Sequence, residues 1–317
     1  MKEIGGFIEF EHYYGKEYHS EAIKLNCSRN ALAYLIKLHN IKHIYIPFFL
    51  CDSVQNVCKQ CDVEISFYHI DEKFHPIVPD ADFSNDWLYI VNYYGQLDNK
   101  TIQKLSENIK NLIVDNVQAF FQPPLQHVST IYNCRKFFGV ADGAYLYSDE
   151  KLAEQFERDI SYNRMEFLFG RFEKTANEFY SKYTRNNDLF ETEPIKQMSF
   201  LTENIMRSLD YKRIKNVRTE NFLYLHEHLK NINQLNISVP VGAFAYPLLI
   251  KNGSNIRKQL QEKKIYIPTL WPDVYNVCDK NDLEFRYAED ILPLPVDQRY
   301  DQNDMKYMEF IFMNFYK

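Results

Sequence analysis

Between residues 24 and 148 the chain alternates, and this alternation narrows its fold more than any other feature. Short apolar runs rich in β-branched and aromatic residues take turns with stretches of helical spacing. The runs are Ile44 to Phe49, Val63 to His69, Trp87 to Tyr93, Leu112 to Val117, Thr130 to Cys134 and Ala144 to Tyr147. Among them, Arg29 to Lys37, Ser53 to Gln60 and Thr101 to Lys110 carry their apolar residues at helical intervals. Repeated pairing of a short buried strand with an amphipathic helix is the βαβ pattern, so the expected architecture is a three-layer α/β domain with a mainly parallel sheet.

The remainder follows a different plan. Residues 151–230, including KLAEQFERDI, RFEKTANEFYSKYTRNN and SLDYKRIKNVRTENFLYLHEHL, read as polar helices that link domains, form a dimer surface or cover the sheet. Phe244 to Ile250, a helix at Ile256 to Lys263, Ile291 to Pro295 and a closing helix at Asp304 to Tyr316 predict a smaller α+β domain. The expected division is a large domain over residues 1–207 and a small C-terminal domain over residues 208–317. No internal repeat interrupts this plan.

Composition excludes some classes of function. The formal net charge is -6, which does not suit a nucleic-acid polymer, and no apolar run reaches the ~18 to 20 residues of a membrane span. The opening MKEIGGFIEFEHYYGKE is acidic and broken by glycines, unlike a secretory signal, so a cytoplasmic location is expected. Cys58 and Cys61 have zinc-ribbon spacing, but no second Cys/His pair stands at a suitable distance and the segment reads as helix; no metal site is expected.

Three features stand where α/β sheets present ligands, at the carboxyl ends of strands and the helices that follow. Asn26-Cys27-Ser28-Arg29-Asn30-Ala31 is a small polar turn opening a helix. Its free N–H groups, with Ser28 and Arg29, suit a phosphate, and the plain alternative is an ordinary helix cap. Asp115 ends an apolar run, where a carboxylate needs a cationic or donating partner, and Gln118 lies three residues on. Lys136 follows a strand and is flanked by Phe137 and Phe138. An amine held in low dielectric loses proton affinity and becomes a nucleophile toward carbonyls; otherwise the lysine snorkels to solvent. Together these are what pyridoxal phosphate requires: a phosphate anchor, an acid for the ring nitrogen and an amine for the aldehyde.

In the order of these motifs, with Asp142-Gly143 six residues after the lysine, the chain resembles the DegT/DnrJ/EryC1/StrS family of nucleotide-sugar aminotransferases, of the aspartate aminotransferase fold. Ile46-Pro47-Phe48-Phe49, Val91-Asn92-Tyr93-Tyr94-Gly95-Gln96, Ala245-Tyr246-Pro247 and Ile265-Tyr266-Ile267-Pro268 extend the resemblance over most of the chain. It implies a homodimer that binds pyridoxal 5'-phosphate and moves an amino group from an amino acid, with glutamate the expected donor, to a keto-sugar nucleotide of surface-polysaccharide or amino-sugar biosynthesis. Carried over by position, Lys136 would join the cofactor aldehyde and shuttle the proton, Asp115 would pair with the ring nitrogen, and Gln118 would lie near the cofactor hydroxyl. Ser28, Arg29, Asn30 and Asn133 would hold the phosphate. Cys51 or its neighbour Phe49 would cover the ring, and Tyr94 and Trp271 would touch substrate, with packing the alternative for Trp271.

Several positions depart from the family pattern. Ser28-Arg29 replaces Gly-Thr, Asn133 replaces a serine, Asp142-Gly143-Ala144 replaces Glu-Gly-Gly, and residues 180–200 lack a clear match to the Asn-containing segment given by the partner subunit. Two other readings accompany the aminotransferase: a sugar dehydratase-like enzyme of the same fold, in which histidine replaces the lysine, and a binding or assembly protein that keeps the fold without turnover.

Overall fold

The structure, a computed structural model, describes residues 4–316. The alternating region folds as β1 (Ile23–Leu25), α1 (Ser28–His39), β2 (His43–Pro47), α2 (Asp52–Gln60), β3 (Glu64–Tyr68), β4 (Trp87–Val91), α3 (Asn99–Asn108), β5 (Leu112–Asp115), β6 (Ser129–Asn133) and β7 (Ala144–Tyr147). Among the described residues these strands form one seven-stranded sheet in the order β1-β7-β6-β5-β4-β2-β3. β2 through β6 pair in parallel, while β7 runs antiparallel to both β6 and β1. Every residue of β4 and β5 is buried, which is the signature of parallel strands covered on both faces. The expected mainly parallel three-layer domain is the one observed.

Strand ends are set by local chemistry. The run expected to reach Val117 stops at Asp115, because the Asp115 carboxylate accepts the Val117 N–H at 2.8 Å and turns the chain. α1 ends at Asn40, whose left-handed backbone (φ 49°) returns its N–H to Ile36. β1 escapes a reading by pattern: it has three residues and is held by its register with β7, Leu25 facing Ala144.

Beyond β7 the expectation for KLAEQFERDI fails. Residues 151–160 are not helical; Arg158 bridges to Gln197, and its guanidinium bonds the Met198 carbonyl at 2.7 Å and the Glu203 carboxylate. These tertiary bonds outweigh a modest helix propensity. Then follow α4 (Glu166–Glu173), α5 (Ala176–Leu189), α6 (Phe200–Arg207) and α7 (Tyr211–Leu229). Asp142 fixes the start of α6, accepting from the Ser199 N–H and Oγ at 2.7 Å each and from Thr202 Oγ1. The C-terminal part contains β8 (Ala245–Leu249), α8 (Gly253–Glu262), α9 (Val274–Val277), α10 (Leu283–Asp290), β9 (Ile291–Pro295) and α11 (Gln302–Phe315). β8 and β9 pair antiparallel, and α11 begins on a capping box of Asp301 and Asp304. α9 and α10 were not foreseen in the sequence.

One apolar cluster runs from Leu32, Leu88 and Ile90 through Phe222 and Tyr246 to Leu292 and Phe312, so the C-terminal part shares the interior of the sheet domain. No described helix is long and apolar enough to cross a membrane.

Candidate active site

The sheet brings three segments to one edge. Leu25, Ala144 and Asn133 stand in register across β1, β7 and β6, and Asp115 faces Ile131 across β5 and β6. The first turn of α1, the end of β5 and the turn after β6 therefore gather at the carboxyl end of the parallel strands, where open α/β sheets place their ligands.

Asp115 is 5 % exposed and fully paired: Oδ2 accepts from Tyr89 Oη at 2.7 Å and Oδ1 from the Val117 N–H at 2.8 Å. Burial raises its pKa, and the charge of Lys136 is the largest influence opposing that rise, ahead of the bonds from Tyr89 and Val117. Lys136 is thus the cation whose field reaches the buried carboxylate. The amine itself corrects an expectation. Lys136 is exposed rather than enclosed by rings, because Phe137 and Phe138 turn away from it into a cluster with Phe120, Phe121 and Tyr145. Lys136 Nζ instead lies 5.9 Å from the centre of the Phe244 ring.

The first turn of α1 is tied down by amides. Asn133 is nearly buried; its Nδ2 donates to Ser28 Oγ at 2.9 Å and its Oδ1 accepts the Lys136 N–H at 3.1 Å. Asn133 is therefore a tie between the first turn of α1 and the lysine turn, with its amide already engaged. Asn30 is likewise engaged, its Nδ2 bonding Asn26 Oδ1 at 2.9 Å and the Pro194 carbonyl at 2.7 Å, so its side chain does not face a ligand as expected. What remains for an anion is the Ser28 hydroxyl proton, the opening N–H groups of α1 and Arg29. The Arg29 side chain is half-buried and makes no hydrogen bond or ion pair among the described residues. The Cys27 sulfur lies under this turn: burial raises its pKa, to about 11, against the Asn30 and Arg29 N–H groups and the charges of Arg29 and Arg135.

Gln118 is 1 % exposed, and its Oε1 accepts the Tyr94 N–H at 2.8 Å. Its Nε2 is buried with no hydrogen-bond partner. A buried unmet donor is costly, so Gln118 Nε2 is available to an ordered water or to a bound group.

The ring-covering and substrate-facing candidates are placed differently. Phe49, Tyr94 and Trp271 are all buried and pack with one another and with Tyr93, Trp271 lying 4.4 Å from Phe49 and 6.0 Å from Tyr94 between ring centres. They form a core cluster, and for Trp271 the packing alternative is the one observed. Cys51 is half-buried at the start of α2, with its sulfur 2.8 Å from Ser53 Oγ, and brings no aromatic ring.

Tyr89 and Phe244 were missed in the sequence. Tyr89 lies two residues before Val91, which faces Asp115 across β4 and β5, so strand periodicity puts Tyr89 and Asp115 on one face; that register is not readable without the pairing. Two surface cavities, of about 250 Å³ beside α7 and about 530 Å³ beside α3, are lined by other residues. Among the described residues no group of His, Cys, Asp and Glu is arranged to hold a metal ion.

No known family profile matches the sequence, and no curated protein does. Solved structures do match. A DegT DnrJ EryC1 StrS aminotransferase from Brucella abortus aligns over 93 % of this chain and 85 % of its own at 12 % identity, with a TM-score of 0.59. A sugar aminotransferase from Micromonospora echinospora aligns over 93 % of this chain and 88 % of its own at 10 % identity, with a TM-score of 0.61. NtdA from Bacillus subtilis, solved with bound cofactor PMP, aligns over 92 % of this chain and 72 % of its own at 12 % identity, with a TM-score of 0.63. The chain is thus similar to these aminotransferases over nearly its whole length, and it has their fold.

Proposed function

We propose that this protein is a pyridoxal-phosphate-dependent aminotransferase that transfers an amino group from an amino acid to a keto-sugar nucleotide. The observation that carries the reading is that Asp115 and the turn holding Lys136 stand at the carboxyl ends of the neighbouring strands β5 and β6, with Gln118, three residues after Asp115, keeping an unmet donor. The residues present fit the cofactor at the ring nitrogen, the hydroxyl and the phosphate.

Bound pyridoxal phosphate supplies an aldehyde and a ring that accepts electrons from a carbanion. Asp115, fixed by Tyr89 and Val117, holds a proton at the ring nitrogen. Gln118 Nε2, whose donor is unmet in the chain, would face the ring hydroxyl. The Ser28 hydroxyl, Arg29 and the opening N–H groups of α1 would bind the phosphate, and Lys136 Nζ would be the nucleophile and the carrier of the α-proton. Glutamate is the proposed donor and surface polysaccharide or amino-sugar synthesis the proposed setting, a reading supported by the similarity to a sugar aminotransferase. A homodimer, which the resemblance implies, is the proposed assembly. Retention of Lys136 argues against the dehydratase-like alternative.

The test is spectroscopic. Protein incubated with pyridoxal phosphate should acquire a visible band that borohydride removes, that Lys136→Ala lacks, and that glutamate bleaches with release of 2-oxoglutarate. A chain that takes up no cofactor would instead be a binding or assembly protein on this fold. Uptake without bleaching by any amino acid would replace transamination with another pyridoxal reaction.

A further inference from the structure

Arg218 on α7 is 1 % exposed and forms no salt bridge within 4 Å among the described residues. Burial lowers its pKa, to about 10, with Asp297 opposing, so the guanidinium is still charged at neutral pH. A buried cation is retained at a cost, and the bonds it makes indicate what it is for. Its Nη2 donates to the Phe137 carbonyl at 3.1 Å, its Nη1 to the Ala243 carbonyl at 2.9 Å and its Nε to Gln298 Oε1 at 2.7 Å. Gln298 returns a second bond to the Phe137 carbonyl at 2.7 Å, and the guanidinium stacks 4.5 Å from the centre of the Phe137 ring.

The two carbonyls are not arbitrary. Phe137 directly follows Lys136, and Ala243 directly precedes Phe244, the ring that covers the Lys136 amine at 5.9 Å. One planar fork therefore holds the backbone on both sides of the amine-to-ring contact. α7 also fixes the approach to Phe244: Thr219 Oγ1 accepts the Gly242 N–H at 2.9 Å. Gly242 sits at φ +63°, and a Cβ there would meet the Phe121 ring at 2.3 Å. An exposed lysine has many rotamers, and restricting them requires that its backbone and its contact surface be fixed relative to each other.

We infer that Arg218, seconded by Gln298, is a positioning residue that sets the direction of the Lys136 amine by clamping the Phe137 and Ala243 carbonyls. The inference rests on the reading of Lys136 as the reacting amine, and it adds a device from the C-terminal part of the chain that the motifs around Lys136 do not contain. Lysine cannot replace this arginine, since a single ammonium does not present a rigid fork to two separated carbonyls.

The experiment uses the full chain without cofactor. Lysines are dimethylated with ¹³C-formaldehyde, and the Lys136 methyl resonance is assigned by its absence in Lys136→Arg. In the wild type, the Phe244 ring should displace this resonance from that of exposed Lys59, and Phe244→Leu should abolish the displacement. Arg218→Met, folded by circular dichroism, should lose it as well, with Lys59 unchanged. Retention of the displacement in folded Arg218→Met overturns the inference, as does its absence from the wild type. Should Arg218→Met not fold, Arg218→Lys decides on the same criterion, because it keeps charge and bulk but not the fork. Failure of the wild type to take up pyridoxal phosphate would sink the cofactor reading and leave this measurement standing.

Discussion

Asn133 at the end of β6 and Ser28 in the first turn of α1 are joined by a 2.9 Å hydrogen bond, and the same Asn133 amide accepts the main-chain N–H of Lys136. One side chain thereby fixes the spacing between the expected phosphate turn and the expected reacting amine. A serine in its place, as in the resembled family, is too short to span both in this geometry.

This bond gives the first prediction. Asn133→Ala removes a donor and an acceptor from a nearly buried position, so it should lower stability by about 1–3 kcal/mol. It should also weaken pyridoxal phosphate binding by at least about tenfold, since the anchor and the amine lose their common reference. Urea unfolding and a cofactor titration read the two effects, and an unchanged cofactor affinity would contradict the role of the tie.

Asp115→Asn should separate stability from function. Burial raises the Asp115 pKa, so the folded chain favours the neutral acid. Wild type and variant should match in stability below the unfolded carboxylate range. As pH rises through that range and on through the raised folded value, the wild type should lose stability relative to Asp115→Asn, because only the wild type must bury a charge. Melting temperatures of cofactor-free protein from pH 4 to pH 8 check this, and a gap that closes with rising pH would refute it. Transaminase activity in the variant should fall by orders of magnitude, as the ring nitrogen loses its acid.

Gln118 predicts a split of another kind. Gln118→Leu leaves the buried Tyr94 N–H without its acceptor and should cost about 1–3 kcal/mol, whereas Gln118→Glu keeps that acceptor and removes the unmet donor. Folded Gln118→Glu should bind pyridoxal phosphate more weakly than wild type, with little effect on the binding of inorganic phosphate. Calorimetric titration with each ligand distinguishes them.

His19 predicts an acid limb. It is 2 % exposed; its Nε2–H donates to the Phe120 carbonyl at 2.8 Å, which leaves Nδ1 to accept from Tyr147 Oη at 3.2 Å. Burial lowers its pKa, to about 4, despite the Phe120 bond. The neutral ring is the folded form, so stability is complete above the unfolded value of 6.5 and is lost as pH falls from there toward about 4. The loss amounts to about 3 kcal/mol. His19→Gln, which keeps a donor for Phe120, should flatten this limb in a pH series of urea midpoints.

The buried strands were legible because a parallel sheet writes itself as uninterrupted apolar runs, as in Trp87–Val91 and Leu112–Asp115. The positions of Asp115 and of the Lys136 turn at adjacent strand ends were legible for the same reason, since each follows such a run. Lys136 was misread as enclosed because its aromatic neighbours in sequence are not its neighbours in space; Phe137 and Phe138 point inward, and the ring it meets is Phe244. Phe49, a candidate to cover the cofactor ring, and Trp271, a candidate for substrate or for packing, meet each other in the core instead. Residues 151–160 carry a helix-like composition, but the Arg158 bonds that decide their path depend on Met198 and Glu203, some forty residues away. Local pattern has no access to such partners.

The interior that Leu88 and Ile90 share with Phe222, Tyr246 and Leu292 has an evolutionary reading. The last third of this chain is not a cassette that recombination could trade for a distant relative's, since an exchange would set unfamiliar contours against the sheet and remove the arginine that grips the turn beyond Lys136. Change across this seam has to be gradual and paired, which is one physical route by which overall shape outlasts recognisable sequence.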